Sequence, residues 1–169
     1  SRRAAVACYS LTHGPRPDGY LSITVKAVED GLVSPYLVHQ TAPGTLVHLD
    51  QAQGDFVLPQ PLDREKFLFV TAGSGITPVI GMLRNLFPVT DSGVAHPAHS
   101  AGVDIVCVHL APSRPSSIFA SNLDELDAAG AINLIHRYDD EHGIFDVATL
   151  SELVPDLAER ATYACGPAG

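Results

Sequence analysis

The clearest feature of the hydrophobic pattern is an uninterrupted apolar run, Phe67 to Val70. A short run with no polar position predicts a strand that is buried on both faces of a parallel sheet. A turn that contains two glycines, Gly73 to Pro78, follows it directly. Apolar residues then recur at helical spacing and form one stripe, at Ile76, Val79, Ile80, Leu83 and Leu86. The pattern therefore predicts a strand, a tight turn and an amphipathic helix in succession.

The alternation of buried strand and amphipathic helix continues to the end of the chain. Further strands are predicted at residues 103–110, 132–136 and 162–165. One intervening helix carries Leu123 and Leu126, and another is capped by Asp146 and broken by Pro155. Strands and helices in this order predict a parallel sheet with right-handed crossovers. We therefore interpret residues 63–169 as an α/β nucleotide-binding domain that is truncated at its C-terminus.

The first 62 residues show a two-residue periodicity instead, which predicts half-buried strands. The predicted strands are residues 4–12, 21–27 and 46–49. A short helix is predicted over residues 35–40, with Ser34 as its N-cap and Pro35 at its first position. These elements predict a partial antiparallel β-barrel over residues 1–62. Because too few strands are present to close a barrel, we expect the chain to be truncated at both ends.

Composition narrows the class of protein. The chain has 169 residues, of which 46% are hydrophobic and 17% charged, and this is typical of a globular protein. Its formal net charge of -9, with 10 Lys and Arg, argues against a nucleic-acid surface. No apolar run is long enough for direct membrane insertion, and no signal peptide opens the sequence. The three cysteines form no C-x-x-C pair, so we expect a cytoplasmic protein without a disulfide framework or metal site.

The turn after the first buried strand carries the main chemical signal. Gly73 and Gly75 place no Cβ between the backbone and a ligand. The first turn of the following helix presents unpaired N–H groups and the positive end of a dipole. Together these features suit the diphosphate of a nucleotide. The turn by itself leaves open an alternative, a structural corner that needs glycine for its backbone conformation.

Two further motifs lie among the first 62 residues. Tyr9 and Ser10 place an aromatic ring beside a hydroxyl, where a flat ring system could stack and accept a hydrogen bond. The alternative is that Tyr9 is an ordinary tyrosine of the core. Gly31 and Ser34 precede the short helix and could hold a second diphosphate. The alternative there is an ordinary capped turn.

Polar residues follow two other strands at the edge where parallel sheets bind ligands, beyond the carboxyl ends of the strands. Ser113 and Arg114 follow the second strand, where a guanidinium fits a 2′-phosphate and so favours NADPH over NADH. The alternative is a solvated loop arginine. Cys165 and Gly166 follow the last strand and indicate a turn that a ring could approach closely. The alternative is a buried structural thiol.

These motifs together resemble the ferredoxin–NADP reductase superfamily of flavin-dependent electron-transfer reductases. They occur in the order of that family, as Tyr9-Ser10, Gly31 to Ser34, Gly73 to Pro78 and Cys165 to Pro167. The likeness extends over essentially the whole chain, and Arg114 to Phe119 is similar to the family's pyridine-nucleotide segment. One position departs from the pattern. The arginine that precedes Tyr-Ser in the family is Ala7 here, which removes a cation from the flavin phosphates.

The resemblance implies FAD and NADP as cofactors, with NAD possible. It implies catalytic roles for Ser10, beside the hydride-accepting nitrogen of the flavin, and for Cys165, where nicotinamide meets flavin. The residues that would contact FAD are Tyr9, Ser10, Gly31 and Ser34. The residues that would contact NADP are Gly73, Gly75, Thr77, Pro78, Ser113, Arg114, Cys165 and Gly166.

The resemblance also implies a reaction and its partners. NADPH would reduce the flavin, and electrons would pass singly to a ferredoxin-type [2Fe–2S] protein, or to a fused domain outside this chain. That carrier would serve an oxygenase or a desaturase. Three alternatives remain open at this point. They are a flavin-binding electron-transfer or regulatory subunit that does not itself oxidise NADPH, a plain nucleotide-binding module, and a flavohaem or cytochrome-type reductase of the same superfamily.

Overall fold

A computed structural model describes residues 5–14, 16–62, 65–90, 93–94 and 102–167 of the chain. The helices are α1 (Val33–His39), α2 (Ile76–Leu86), α3 (Ala120–Ala128), α4 (Asp139–His142) and α5 (Leu150–Leu153). The strands are β1 (Lys66–Ala72), β2 (Val89–Thr90), β3 (Gly93–Val94), β4 (Asp104–Ala111), β5 (Asn133–Tyr138) and β6 (Ala161–Cys165). Within these ranges no helix is both long enough and apolar enough to cross a bilayer.

Four of the strands form a parallel sheet in the order β5-β4-β1-β6. Leu68 of β1 lies opposite Val106 of β4 on one side and opposite Thr162 of β6 on the other. Because both edges of β1 are paired and both of its faces are covered, its sequence shows no alternation of polar and apolar positions. The predicted parallel sheet, with helices between its strands, is confirmed.

Each face of the sheet buries its own hydrophobic layer, because successive side chains of a strand point to opposite faces. On one face Phe67 and Phe69 pack against the stripe of α2 and against α3. The fully buried residues of that stripe are Ile76, Val79, Ile80 and Leu83. On the other face Leu68 packs in a smaller cluster with Val106, Val108, Leu150 and Val154. The two layers fix β1 in the centre of the sheet and so fix the turn that follows it.

Arg160 links β1 and β4 at the opposite end of the sheet, where the strands begin. Its side chain is 6% exposed and donates to the carbonyl oxygen of Phe67 at 3.2 Å and to both carboxylate oxygens of Asp104 at 3.0 and 2.8 Å. It also donates to Asp156 at 2.8 Å, and the Lys66 ammonium binds the same carboxylate. The Arg160 guanidinium, followed by Lys66, lowers the pKa of Asp156 to about 2.

The described residues before Lys66 form α1 but no regular strand. Leu11 and Ile23 make a single antiparallel bridge, beside which the Thr12 N–H donates to the Ser22 carbonyl at 2.9 Å. An extended segment forms a ladder only where a neighbouring segment lies in register with it, and that condition is met here at one pair. This corrects the strands predicted at residues 4–12, 21–27 and 46–49. The partial barrel and the domain boundary after residue 62 stay predictions.

Helix α1 differs from its predicted form at its first turn. It begins at Val33 rather than at Pro35, so Ser34 lies inside the helix and is not its N-cap. The Ser34 hydroxyl instead accepts a hydrogen bond from the Val28 N–H at 3.1 Å. The prediction that Ser34 lies near the start of the helix is confirmed, but its hydroxyl oxygen closes the preceding loop and does not cap the helix.

Two other parts of the structure add detail to the predicted elements. A short antiparallel pair, β2 with β3, lies between α2 and β4. The Asp146 carboxylate accepts from the Ala148 N–H at 2.9 Å, which confirms Asp146 as a cap. The element that it caps is a 3-10 turn, Val147–Thr149, which leads into α5.

We expect Arg160→Met to lower the free energy of unfolding by about 1–2 kcal/mol, because the strand ends lose several charged hydrogen bonds to partners that are still partly solvated. Chemical denaturation at neutral pH measures this loss. Because the pKa of Asp156 is depressed from 3.8 to about 2 in the folded protein, its contribution is present above pH 3.8 and is lost as the pH falls towards 2. The difference between wild type and variant should therefore narrow in acid.

Lys66→Met is the matched comparison, since it removes a cation from the same cluster at a more exposed position. It should cost clearly less stability than Arg160→Met. Equal losses, or a difference that does not change with pH, would contradict the role given to Arg160.

Candidate functional site

A cavity of about 600 Å³ lies between the first residues of the chain and the turn that follows β1. It brings together residues from both predicted cofactor sets, namely Tyr9, Ser10, Gly31, Ser34 and Thr77. Three polar residues that the sequence did not single out also line it, namely Thr24, Lys26 and Ser74. Residues separated by more than 60 positions in the chain thus share one concave site, which is the usual form of a cofactor pocket.

The wall beside α1 is a tightly closed loop. The Gly31 N–H donates to the Val28 carbonyl at 2.9 Å, and the Ser34 hydroxyl accepts from the Val28 N–H. A Cβ added to Gly31 would lie 2.9 Å from the Val28 oxygen and 3.1 Å from the Ser34 hydroxyl. Gly31 is therefore required by the packing of the loop itself. A contact of Gly31 or Ser34 with a diphosphate stays a prediction.

The opposite wall is the turn Gly73–Gly75, a single turn of 3-10 helix that leads into α2. Gly73 has a φ of 52°, which favours glycine, and a Cβ there would meet nothing within 4 Å. The Thr77 hydroxyl donates to the Ser74 carbonyl at 3.0 Å and so fixes the start of the helix. Pro78 lies in the first turn of α2, where its missing N–H costs no hydrogen bond. No protein atom therefore blocks the approach of a ligand to Gly73, and its contact with a diphosphate stays a prediction.

Gly75 has a different reason to be glycine from the one predicted. A Cβ on Gly75 would lie 2.0 Å from the carbonyl oxygen of Cys165, so the backbone of the last strand occupies that space. Gly166 is equally close on its own side, where a Cβ would lie 2.9 Å from that of Ala72. The structure therefore brings Gly75, Cys165 and Gly166 together, as backbone contacts between two strand ends. Cys165 itself is partly exposed.

Ser113 and Arg114 lie in a separate turn at the same edge of the sheet, after β4, and their contact with a 2′-phosphate stays a prediction. The Ser113 N–H donates to the Ser116 hydroxyl at 3.0 Å, and the Ser116 N–H donates to the Ser113 carbonyl at 3.1 Å. This turn leaves Arg114 exposed, with its guanidinium carbon 5.0 Å from the centre of the Tyr138 ring. The ring is a platform for the cation. Sequence reasoning missed Tyr138, because it is the last residue of a strand of otherwise mixed polarity.

A row of polar side chains lies next to that loop, of which Thr71 and His109 are fully buried and His136 is partly buried. The Thr71 hydroxyl and the Nδ1 atom of His109 are 2.8 Å apart, and the His136 ring stacks on Tyr138 at 5.3 Å. His136 also contacts the Asp124 carboxylate at 2.9 Å. Burial, followed by the neighbouring His136, lowers the pKa of His109 to about 4, so His109 is neutral at physiological pH. The sequence missed this row because single polar residues within buried strands are usually satisfied core groups.

Comparison with known proteins shows which oxidoreductases the chain is similar to. No family model matches the sequence. It is 39% identical over 95% of its length to an NADPH oxidoreductase of Mycobacterium tuberculosis. It is 32% identical over 98% of its length to the ferredoxin reductase component of a 3-ketosteroid-9-alpha-monooxygenase from Mycolicibacterium smegmatis. The chain spans 40% and 44% of these relatives, so it corresponds to less than half of each.

Solved structures agree on the fold. A ferredoxin-NADP+ reductase of Plasmodium falciparum superposes with a TM-score of 0.74 at 17% identity, covering 98% of this chain and 68% of the other. The Amycolatopsis cytochrome P450 reductase GcoB superposes with a TM-score of 0.73 at 20% identity, covering 94% of this chain and 47% of the other. These matches show that the chain has the fold of ferredoxin-NADP+ reductases, and the relatives given above show that it is similar in sequence to part of an NADPH oxidoreductase and of a ferredoxin reductase component.

We expect Gly75→Ala to destabilise the protein by about 3 kcal/mol, because the new methyl group overlaps the Cys165 carbonyl and one of the two strand ends must move. Gly73→Ala is the matched control. Its methyl group enters open space, so it should cost only the strain of its positive φ, about 1 kcal/mol. Denaturant unfolding of both variants measures the difference. A Gly75→Ala protein as stable as the Gly73→Ala protein would contradict the contact.

Proposed function

We propose that the chain forms part of a flavin-dependent reductase that takes electrons from NADPH. The observation that supports this most is the shared cavity, which Tyr9 and Ser10 line together with Ser74 and Thr77 at the turn after β1. A cavity of this kind allows a flavin ring and a nicotinamide ring to meet. We further propose that the electrons pass singly to a ferredoxin-type [2Fe–2S] carrier that serves an oxygenase or a desaturase. The monooxygenase reductase component among the relatives supports this second step.

The residues of the cavity fit FAD. Tyr9 offers an aromatic ring on which a planar ring system can stack, and the Ser10 hydroxyl beside it can donate a hydrogen bond. Among the described residues that line the cavity, Lys26 alone carries a charge. Lys26 thus supplies a cation to the cavity, which Ala7 also lines in place of the family's arginine. A bound flavin would accept hydride from reduced nicotinamide and release electrons one at a time.

The task of the protein itself is alignment. Hydride transfer needs no general base, so the groups around the rings have to hold them at reacting distance and exclude water. Thr77 and Ser74 shape the turn that would hold the pyrophosphate of NADP at the start of α2. Cys165 lies against that turn through its backbone, which supports a place for it near the nicotinamide. Ser10 would orient the accepting ring from the other wall.

Reduction of a bound flavin by NADPH tests the proposal directly. The visible spectrum of the full-length protein is recorded without oxygen, before and after NADPH is added. We expect a flavin absorbance band that bleaches on addition. Absence of flavin from a well-folded, full-length protein would overturn the proposal and leave a nucleotide-binding module.

A second candidate function is favoured by Ala7, which removes a cation from the cavity wall. Under this alternative the protein binds flavin as an electron-transfer or regulatory subunit and does not itself oxidise NADPH. The same spectrum separates the two functions. A flavin band that persists in excess NADPH, but bleaches with a chemical reductant, would support the subunit.

Arg114→Ala should weaken NADPH binding about ten- to a hundredfold, because a charge-assisted contact to the 2′-phosphate is lost. NADH lacks that phosphate, so its binding should change little and serves as the internal control. Titration of each nucleotide against the oxidised protein measures both constants. Equal losses for NADPH and NADH would rule out the assignment of Ser113 and Arg114 to the 2′-phosphate.

A further inference from the structure

Arg84, near the end of α2, binds parts of the chain that lie far apart in sequence. One terminal nitrogen of its guanidinium donates to the carbonyl oxygen of Thr12 at 3.1 Å. The other donates to the side-chain oxygen of Asn122, on α3, at 3.2 Å. The guanidinium carbon also lies 5.1 Å from the centre of the Phe119 ring. Such a fork fixes direction as well as distance, which a single donor would not do.

The segment that Arg84 holds is packed directly on α2. A Cβ on Gly81 would lie 2.5 Å from the carbonyl oxygen of Leu11, so the segment touches the helix backbone one turn before Arg84. A Cβ on Gly14 would lie 2.8 Å from the side-chain oxygen of Asn85. At Gly81 the backbone of the segment lies directly against the helix, with no side chain between them to adjust. Movement of the segment away from α2 would therefore break the hydrogen bond between Arg84 and Thr12.

Thr12 is anchored on its other side as well. It is 2% exposed, and its N–H and hydroxyl both donate to the Ser22 carbonyl, at 2.9 and 3.2 Å. Its own carbonyl is the group that Arg84 binds. A basic residue near the end of a helix often stabilises the last carbonyls of that same helix. Arg84 instead binds a carbonyl of another segment, so stabilisation of α2 does not account for its position.

Arg84 joins the segment of Thr12 to helix α2, and both of these elements lead to residues that line the cavity. Thr12 lies two residues after Ser10, which forms one wall together with Tyr9. Helix α2 begins beside Ser74 and includes Thr77, which belong to the other wall. A rigid helix transmits a displacement along its length, so the separation of the two walls depends on the contact at Arg84. The third partner, α3, extends the link towards the loop of Arg114.

We propose that Arg84 is a positioning residue for hydride transfer, which sets the distance and angle between the flavin and nicotinamide sites from outside the cavity. The inference rests on the proposed function, because it presumes that these two rings meet there. Arg84 does not line the cavity, so its loss should leave the contacts to each cofactor in place. The rate of transfer should be affected much more than the binding of either cofactor.

The test compares full-length wild type with Arg84→Met, Arg84→Lys and Arg16→Met. Arg16 is the matched control, since it lies close in sequence to the held segment but its side chain binds only the exposed Asp18 among the described residues. Each protein is mixed rapidly with NADPH in the absence of oxygen. The measurements are the rate of flavin bleaching, the dissociation constant of NADPH and the long-wavelength absorbance of stacked nicotinamide and flavin. Hydrogen exchange of residues 9–14 is measured without any cofactor.

We expect Arg84→Met to slow bleaching about ten- to a hundredfold, as a displacement of about 1 Å at a reacting pair does. The long-wavelength absorbance should fall, the dissociation constant of NADPH should stay within about twofold, and residues 9–14 should exchange faster. Arg84→Lys keeps one donor for Thr12 but loses the fork, so it should restore part of the rate. Arg16→Met should match wild type in every measurement.

Normal bleaching in Arg84→Met, or an equal loss of NADPH affinity and rate, would overturn the positioning role. If Arg84→Met does not fold, Arg84→Lys decides, and wild-type rate and absorbance in that variant would overturn the role. Failure of wild type itself to hold or reduce flavin would overturn the proposed function and this role with it. Hydrogen exchange would then still report whether Arg84 holds the segment.

Discussion

The contact of Gly75 with the backbone of Cys165 is the constraint on which the candidate site depends. It forces the turns after β1 and β6 to meet through backbone atoms alone, since a Cβ on Gly75 would lie 2.0 Å from the carbonyl oxygen. The turn after β1 is thereby held on one side, and its other side, at Gly73, remains open. A turn fixed in this way is shaped before any ligand arrives, so binding does not have to pay for ordering it.

Burial on both faces explains why the sheet could be predicted from sequence. A strand in the middle of a parallel sheet tolerates no polar position. The wholly apolar run Phe67 to Val70 therefore indicates a strand that is buried on both faces. The alternating residues 21–27 indicate only that one face is covered, and they contain no information about which segment pairs with them. In the structure that stretch has one bridge, at Ile23. Pairing between distant segments is a property of the whole fold and cannot be read from local periodicity.

The sequence motifs identified five of the residues that line the cavity, but not how these residues are arranged. Motifs placed Tyr9 and Thr77 in different cofactor sets, and only the structure shows that they line one cavity. Gly75 illustrates a related limit. A glycine in a sequence indicates that a Cβ is excluded, but not whether a ligand or another strand excludes it. Tyr138 is a buried residue of the core, 1% exposed, and a sequence pattern that indicates a buried aromatic residue does not indicate that an arginine lies over its ring.

The distribution of charge explains how an acidic chain could still bind an anionic dinucleotide. With 19 Asp and Glu against 10 Lys and Arg, the average field repels phosphate, so attraction has to be local. Arg16, Lys66 and Arg160 are engaged in ion pairs away from the cavity. Lys26 lies in its wall, and Arg114 is held over Tyr138 at the same edge of the sheet. If the chain binds these cofactors as proposed, then within the described part of the chain their affinity depends on where Lys26 and Arg114 lie and on backbone N–H groups, rather than on the overall charge of the protein.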